Sequence, residues 1–170
     1  MDPLVHLAAA AIKSYVANGR EGIPSFLMDA APSKKAGVFV TIHSASGELR
    51  GCIGTILPTC ETMAYEIIQN ARSACSRDHR FAPVQENELE SLTIKVDVLS
   101  EPEHIDSASM LDPSRYGVIV SAKDGRRGLL LPALDGVDTA MEQIAICRRK
   151  GGIRDDEPIT LQRFTVERHG

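Results

Sequence analysis

Two alternating segments joined by a short turn constrain the fold of this chain more than any other feature. Residues 38–43 read Val-Phe-Val-Thr-Ile-His, and residues 48–55 read Glu-Leu-Arg-Gly-Cys-Ile-Gly-Thr. Strict alternation of apolar and polar side chains is typical of a half-buried strand. Residues 44–47, Ser-Ala-Ser-Gly, have the composition of a hairpin turn. The pattern therefore predicts two antiparallel strands.

The register of this hairpin decides which side chains share a face. A regular four-residue loop places His43 opposite Glu48, Thr41 opposite Arg50, and Phe39 opposite Cys52. One face is then aliphatic and is predicted to cover the core; it carries Val38, Val40, Ile42, Leu49 and Ile53. The other face carries the first candidate binding residues, which are Thr41, His43, Glu48, Arg50 and Cys52. A slip of one residue would expose the whole aliphatic set to water.

Cys52 and Arg50 are the candidate catalytic residues. They are two positions apart in a strand, so their side chains are expected on one side, about 7 Å apart. A neighbouring cation favours the nucleophilic thiolate, and a guanidinium can also clamp a carboxylate or phosphate. Gly51 and Gly54 flank the thiol and leave room for a ligand or another backbone to approach.

Structural roles compete with these assignments. Cys52 can pack under a neighbouring helix, and Arg50 can form a salt bridge with Glu48 or Glu66. In the predicted register His43 lies about 13 Å along the ribbon from Cys52, too far for a cysteine–histidine dyad.

A second candidate segment follows the predicted second helix. His79 is the alternative base for a thiol nucleophile. For both His43 and His79, however, a surface position is the simpler interpretation. Asp78 and Arg80 either line the same site or act locally, with Asp78 ending the helix and Arg80 pairing beside it.

The rest of the chain shows helices interspersed with hairpins. Apolar stripes at helical spacing predict helices over residues 3–18, 58–78 and 139–150. Alternation predicts strands over residues 92–98, 117–121, 129–131 and 159–166, the last with a bulge near Arg163. This order predicts an α+β fold with a mainly antiparallel sheet and flanking helices.

Composition excludes several classes of function. A formal net charge of −4 and an aromatic content of 4% argue against nucleic-acid or anionic-membrane binding. We expect a cytoplasmic protein without a membrane span, in one domain or two small lobes. The cysteines have no metal-site or disulfide spacing, so no metal is predicted. Three of them lie on predicted helices as packing residues, namely Cys60, Cys75 and Cys147.

Four blocks of sequence, in this order along the chain, resemble the AMMECR-type domain family, also described as protein A of the AmmeMemoRadiSam system. The blocks are residues 49–55, Leu-Arg-Gly-Cys-Ile-Gly-Thr; residues 78–84; residues 92–103; and residues 130–132 with 147–152. His79 replaces an expected proline, and no tryptophan follows Leu131-Pro132.

The resemblance implies a single domain over residues 1–170, built from a larger and a smaller lobe with a cleft near residues 49–55. It also implies Memo-like and radical SAM partner proteins. We therefore expect the chain to bind or process a small polar ligand around Arg50 and Cys52. The alternative is a non-catalytic interaction module that docks through the same strand. Enzymatic activity, any cofactor, and a monomeric or homodimeric state stay open.

Overall fold

The computed structural model describes residues 1–19 and 22–170. Within these two stretches the α-helices are α1 Pro3–Val16, α2 Ser25–Asp29, α3 Met63–Ser76 and α4 Ala140–Gly151. The strands are β1 Val38–His43, β2 Leu49–Gly54, β3 Thr93–Leu99, β4 Glu103–Ile105, β5 Gly117–Ala122, β6 Arg127–Leu130, β7 Ile159–Phe164 and β8 Val166–His169. Short 3-10 helices span Glu86–Ser91 and Ala108–Met110.

The chain divides into two compact units. The first comprises Met1–Leu99 and Glu167–Gly170, and the second comprises Ser100–Val166. Each unit contains a four-stranded sheet, ordered β2-β1-β3-β8 in the first and β4-β7-β5-β6 in the second. The strand pairs β1–β2, β1–β3, β4–β7, β5–β6 and β5–β7 are antiparallel. The predicted α+β fold with mainly antiparallel sheets is confirmed.

The first unit packs its helices on the aliphatic face of its sheet. Val38, Val40 and Ile42 of β1 are completely buried there, beneath α1 and α3. Helix α1 begins as predicted, because the Asp2 carboxylate accepts a hydrogen bond of 2.8 Å from the Leu4 N–H. The helices support β1 and β2 on this aliphatic face. The opposite face of the sheet carries Thr41 and Cys52.

The second unit is built around α4, which packs on β5 and β6. Thr139 caps the start of this helix by accepting from the Glu142 N–H, and Gly152 follows its end with a φ of 66°. Both ends match the sequence prediction. The hairpin between β5 and β6 turns through residues 123–126, also as predicted.

Two predicted elements need correction, the second helix and the closing strand. The second helix begins at Met63 rather than near residue 58, because Thr62 caps it and residues 55–61 form a loop. Cys60 therefore lies in a loop and not on a helix, whereas Cys75 and Cys147 are buried on helices as expected.

The predicted bulge near Arg163 is a change of sheet. Strand β7 ends at Phe164, and β8 begins at Val166 in the other sheet. The intervening Thr165 is fixed by two hydrogen bonds with Ser100: its N–H donates to the Ser100 hydroxyl at 2.8 Å, and its carbonyl accepts from the Ser100 N–H at 2.9 Å. Helix α2 and strand β4 were not predicted.

Candidate functional site

The register of the β1–β2 hairpin differs from the regular one by two residues. Thr41 pairs with Cys52 rather than with Arg50, and Phe39 pairs with Gly54 rather than with Cys52. The shift has two sources, a tighter turn and a bulge. The turn contains Gly47, whose φ of 84° lets its N–H and the Glu48 carbonyl both bond to Ser44.

The bulge makes Arg50 the extra residue of the hairpin. Ile42 pairs with Gly51 and His43 with Leu49, so no residue of β1 lies opposite Arg50. Leu49 consequently leaves the core face, where it was predicted, and its residue surface is 38% exposed. The prediction that Thr41 faces Arg50 was therefore wrong, and so was the core assignment of Leu49.

Cys52 lies on the polar face of the sheet, half-buried, with polar neighbours on two sides. Its Sγ is 3.3 Å from the Oγ1 of Thr41, the residue directly opposite. Its backbone N–H points to the open edge of β2 and donates to the Asp78 carboxylate at 3.0 Å. The thiol is thus held at the sheet edge and is not enclosed in the aliphatic core.

Asp78 anchors Arg80 beside this thiol. The Asp78 carboxylate is buried and accepts from the Arg80 Nε at 3.0 Å and from its second terminal nitrogen at 2.7 Å. These bonds to Arg80, with the N–H of Cys52, outweigh burial and hold the pKa of Asp78 far below its usual range. Arg80 keeps half of its side chain exposed, and the ring of Phe81 lies 5.4 Å from its guanidinium carbon.

Arg80 and Cys52 share one acceptor, because the Cys52 N–H at 3.0 Å and the second terminal nitrogen of Arg80 at 2.7 Å both donate to Oδ2 of Asp78. Hydrogen bonding to Asp78 is the main reason that the pKa of Arg80 is raised, and the Cys52 sulfur adds a smaller electrostatic contribution. The sequence predicted a cation beside the thiol but placed Arg50 in that role. The structure adds Arg80, from the loop that follows α3, through the Asp78 carboxylate that it shares with the Cys52 N–H.

Arg50 is occupied elsewhere. Its Nε donates to Glu88 at 2.8 Å and its second terminal nitrogen to the same carboxylate at 3.0 Å, a bidentate ion pair. A third nitrogen donates to the Ala82 carbonyl at 2.7 Å. The salt-bridge interpretation named Glu48 or Glu66, so the interaction was anticipated and the partner was wrong. Arg50 ties β2 to the segment before β3.

The flanking glycines each admit a close neighbour. A Cβ on Gly51 would overlap the Ala74 carbonyl oxygen of α3, and a Cβ on Gly54 would overlap the ring of Phe39. Close approach of another backbone, one of the two predicted roles, thus accounts for Gly51. Gly54 makes room for an aromatic side chain on the polar face.

The remaining candidates lie apart from this arrangement or have no polar partner. Glu48 is exposed at the turn and accepts from the Ser46 hydroxyl at 3.1 Å. His79 is exposed. His43 is half-buried, and its Nδ1 is buried without a hydrogen-bond partner among the described residues. The true register places His43 diagonal to Cys52, about 7–8 Å away, so the predicted separation of about 13 Å was wrong.

A buried carboxylate in α3 was missed. Glu66 is completely buried and accepts from the Thr55 hydroxyl at 2.5 Å, the Cys60 N–H at 2.7 Å and the Thr59 N–H at 2.8 Å. Burial alone would raise its pKa, but these donors lower it below the ordinary value. Its position three residues after Met63, on the buried stripe of α3, was the available signal.

The described residues place Thr41, Cys52, Asp78 and Arg80 together, and this group is called the Cys52 site below. It offers a nucleophilic sulfur, a hydroxyl and a half-exposed guanidinium at one sheet edge. In the part of the chain that the structure describes, no three His, Cys, Asp or Glu side chains converge to hold a metal ion. None of its helices is long and apolar enough to span a bilayer.

These features define an α+β protein whose edge strand carries a polar cysteine site. The chain belongs to the AMMECR1 family, whose model matches residues 5–169. A protein of Thermotoga maritima is 46% identical over 173 residues, which cover 98% of this chain and 97% of the relative. Protein CA_C1420 of Clostridium acetobutylicum is 43% identical, and the match covers 99% of this chain but 36% of that longer protein.

A solved structure shares the fold. The crystal structure of uncharacterized protein PH0010 from Pyrococcus horikoshii superposes with a TM-score of 0.82 at 30% identity. The superposition covers 98% of this chain and 89% of that protein. The resemblance inferred from the four sequence blocks is confirmed at the level of family and fold.

Proposed function

We propose that the chain binds or processes a small polar ligand at the Cys52 site. The observation that carries the proposal is the half-buried Cys52 thiol, which is hydrogen-bonded to Thr41 and accompanied by the half-exposed Arg80 guanidinium. The buried structural cysteine Cys75 differs, because burial raises its thiol pKa to about 11 although the nearby Arg72 charge opposes this.

Each residue of the site has a defined role in this proposal. Arg80 clamps an anionic group of the ligand, because half of its surface stays open while Asp78 fixes its position. Cys52 is the nucleophile where the ligand carries an electrophilic carbon, and Thr41 orients the sulfur. Arg50, whose donors are engaged by Glu88 and Ala82, holds the strand in place.

The setting of the proposal follows the resemblance of the sequence blocks. The chain would act in the cytoplasm, with a Memo-like protein and a radical SAM protein, and as a monomer or homodimer. Its partners would supply or consume the ligand held at the Cys52 site.

Native mass spectrometry of the purified protein tests ligand binding. The wild-type chain should carry a small-molecule adduct, and Arg80→Gln should lose it. Arg149→Gln, which alters an exposed arginine of α4 in the second unit, should keep it. Alkylation of Cys52 should also exceed that of an unstructured peptide cysteine. A chain without an adduct and with an ordinary Cys52 rate contradicts the proposal.

An interaction module is the second candidate function. Strand β2 is an outer strand of its sheet, and Leu49 is 38% exposed there. Outer strands can pair with a partner's strand, so this edge suits docking. Cys52→Ser separates the two functions: a module retains partner binding and cellular function, whereas a thiol-dependent protein loses function although it stays folded.

A further inference from the structure

A groove on the outer face of α3 is separate from the Cys52 site and shares none of its residues. Its volume is about 600 Å³, and its walls include Tyr15, Tyr65, Arg72, Arg77, Cys60 and Glu61. This volume lies within the range of about 300–1,000 Å³ typical of small-molecule pockets. It is called the α3 groove below.

Two exposed aromatic rings line this groove. Tyr65 is 54% exposed and Tyr15 is 45% exposed, although both belong to helices whose aliphatic side chains are largely buried. Exposed phenol rings offer flat apolar faces on which another ring can stack. Ile68 and Gln69 lie between the turns that carry Tyr65 and Arg72 and form the floor.

Two guanidinium groups at the other end of the groove have no carboxylate partner among the residues the structure describes. Arg72 and Arg77 are both exposed, and neither forms any of the ion pairs seen in the described residues. Two such cations match the charge of one phosphate group, about −1.5 to −2 at neutral pH. The partial negative charge at the C-terminus of α3 repels an anion there, but this repulsion is weaker than the attraction of two guanidinium groups.

The spacing of rings and cations suits a particular size of ligand. Tyr65 and Arg72 are seven residues apart on one face of α3, a rise of about 10 Å. Glu61 lies beyond the Tyr65 end, far from both arginines along the helix, and has no partner among the described residues. Its carboxylate would repel a second phosphate but would accept a hydrogen bond from a ring amino group.

We propose that the α3 groove binds a small aromatic phosphate of the mononucleotide class. The ring lies against Tyr65, a ring amino group donates to Glu61, and the phosphate pairs with Arg72 and Arg77. This inference is independent of the Cys52 site.

Isothermal titration with adenosine 5′-monophosphate at low ionic strength tests this proposal. The nucleotide should bind at least about tenfold more tightly than adenosine, which lacks the phosphate, or inorganic phosphate, which lacks the ring and its amino group. Arg72→Gln and Arg77→Gln should each weaken binding by about tenfold or more, the value of a lost charge-assisted contact. Tyr65→Phe should bind normally and Tyr65→Ala poorly.

A matched control and a positional readout complete the test. Arg149→Gln removes an exposed arginine outside the groove and should bind like the wild type, and Arg72→Lys should restore part of the lost affinity. Cys60 lines the groove, so at about pH 8.5, the ordinary thiol pKa, the nucleotide should slow iodoacetamide labelling of Cys60 and leave that of Cys52 unchanged.

Three results would overturn the proposal. One is equal affinity for the nucleotide, adenosine and phosphate. Another is unchanged nucleotide binding in Arg72→Gln and Arg77→Gln when thermal melts show that both variants are folded. The last is protection of Cys52 in place of Cys60, which would move the nucleotide to the other site and leave the α3 groove without a ligand.

Discussion

The two units use the same packing device beneath their main helices. In each, a glycine in an outer strand lets a helix approach until its backbone carbonyl touches the strand: Gly51 meets Ala74 of α3, and Gly128 meets Cys147 of α4. A methyl group at either glycine would overlap that carbonyl oxygen. Close helix–strand contact is therefore a requirement of both sheets and is not by itself a sign of a site.

The polar groups around this contact separate the two units. Helix α3 buries Glu66 and Asn70, and the loop after it supplies Asp78 and Arg80 to the strand edge. Helix α4 buries one polar side chain, Gln143, among the described residues. The comparison shows that the same packing arrangement is combined with several buried polar groups in the first unit and with one, Gln143, among the described residues of the second.

The largest expected effect concerns the buried carboxylate of α3. Glu66→Ala leaves four donors without their acceptor, namely the hydroxyls of Thr55 and Thr59 and the N–H groups of Thr59 and Cys60. It should therefore lower the free energy of unfolding by at least about 3 kcal/mol. Urea denaturation measures this. Glu61→Ala, which removes a nearby exposed carboxylate, should change stability by less than about 0.5 kcal/mol. Equal effects of the two variants would show that the Glu66 network is not required.

Cys52 of the first unit and Cys147 of the second should differ sharply in reactivity. Burial raises the pKa of Cys147 from 9.0 to about 11, so its thiolate is about a hundredfold scarcer than that of an ordinary thiol. Native-state labelling followed by mass spectrometry should modify Cys52 and spare Cys147 until the protein unfolds. Comparable rates at the two positions would remove the distinction drawn here between a site thiol and a packing thiol.

Because Gly51 and Gly128 have the same packing role, substituting either one should destabilise the protein by a similar amount. Gly51→Ala and Gly128→Ala should each cost about 1–3 kcal/mol, because the helix backbone must move away from the strand. Gly22→Ala is the control, since open space surrounds a Cβ at that position and its φ is not left-handed. Thermal melts of the three variants measure this. A loss of stability in only one of Gly51→Ala and Gly128→Ala would show that the two units do not share this packing requirement.

The smallest effect is a pH dependence at the site. The depressed pKa of Asp78 stabilises the fold above the ordinary carboxyl pKa of about 4, and this contribution is lost as the pH falls toward the folded-state value. Asp78→Asn should therefore be about 1 kcal/mol less stable at pH 7 and should converge with the wild type in acid. Exposed Asp155→Asn should follow the wild type throughout. A gap that widens in acid would contradict the assignment.

Local signals in the sequence predicted much of this structure. The positions of helices α1 and α4 and the alternation of residues 38–43 depend on interactions within a few residues, so the sequence pattern located them. The start of α3 was missed because Pro58-Thr59 resembles a helix start, whereas the capping hydroxyl belongs to Thr62.

The geometry of the site depended on interactions that no local pattern contains. The register combines a tight turn with a bulge at Arg50, and Arg50 pairs with Glu88, which lies 38 residues further along the chain. Alternation indicated Thr41 and Cys52 as candidates, and the block after the second helix indicated Asp78 and Arg80, but neither showed that Asp78 would join Arg80 to the Cys52 backbone.

Iodoacetamide labelling of Cys52 at pH 7 in Arg80→Gln and Arg50→Gln tests the central claim most directly. Loss of the nearby cation in Arg80→Gln should slow labelling by about threefold to tenfold. Arg50→Gln, confirmed as folded by its melting curve, should label at nearly the wild-type rate because its guanidinium pairs with Glu88. Slower labelling in Arg50→Gln with an unchanged rate in Arg80→Gln would contradict this account.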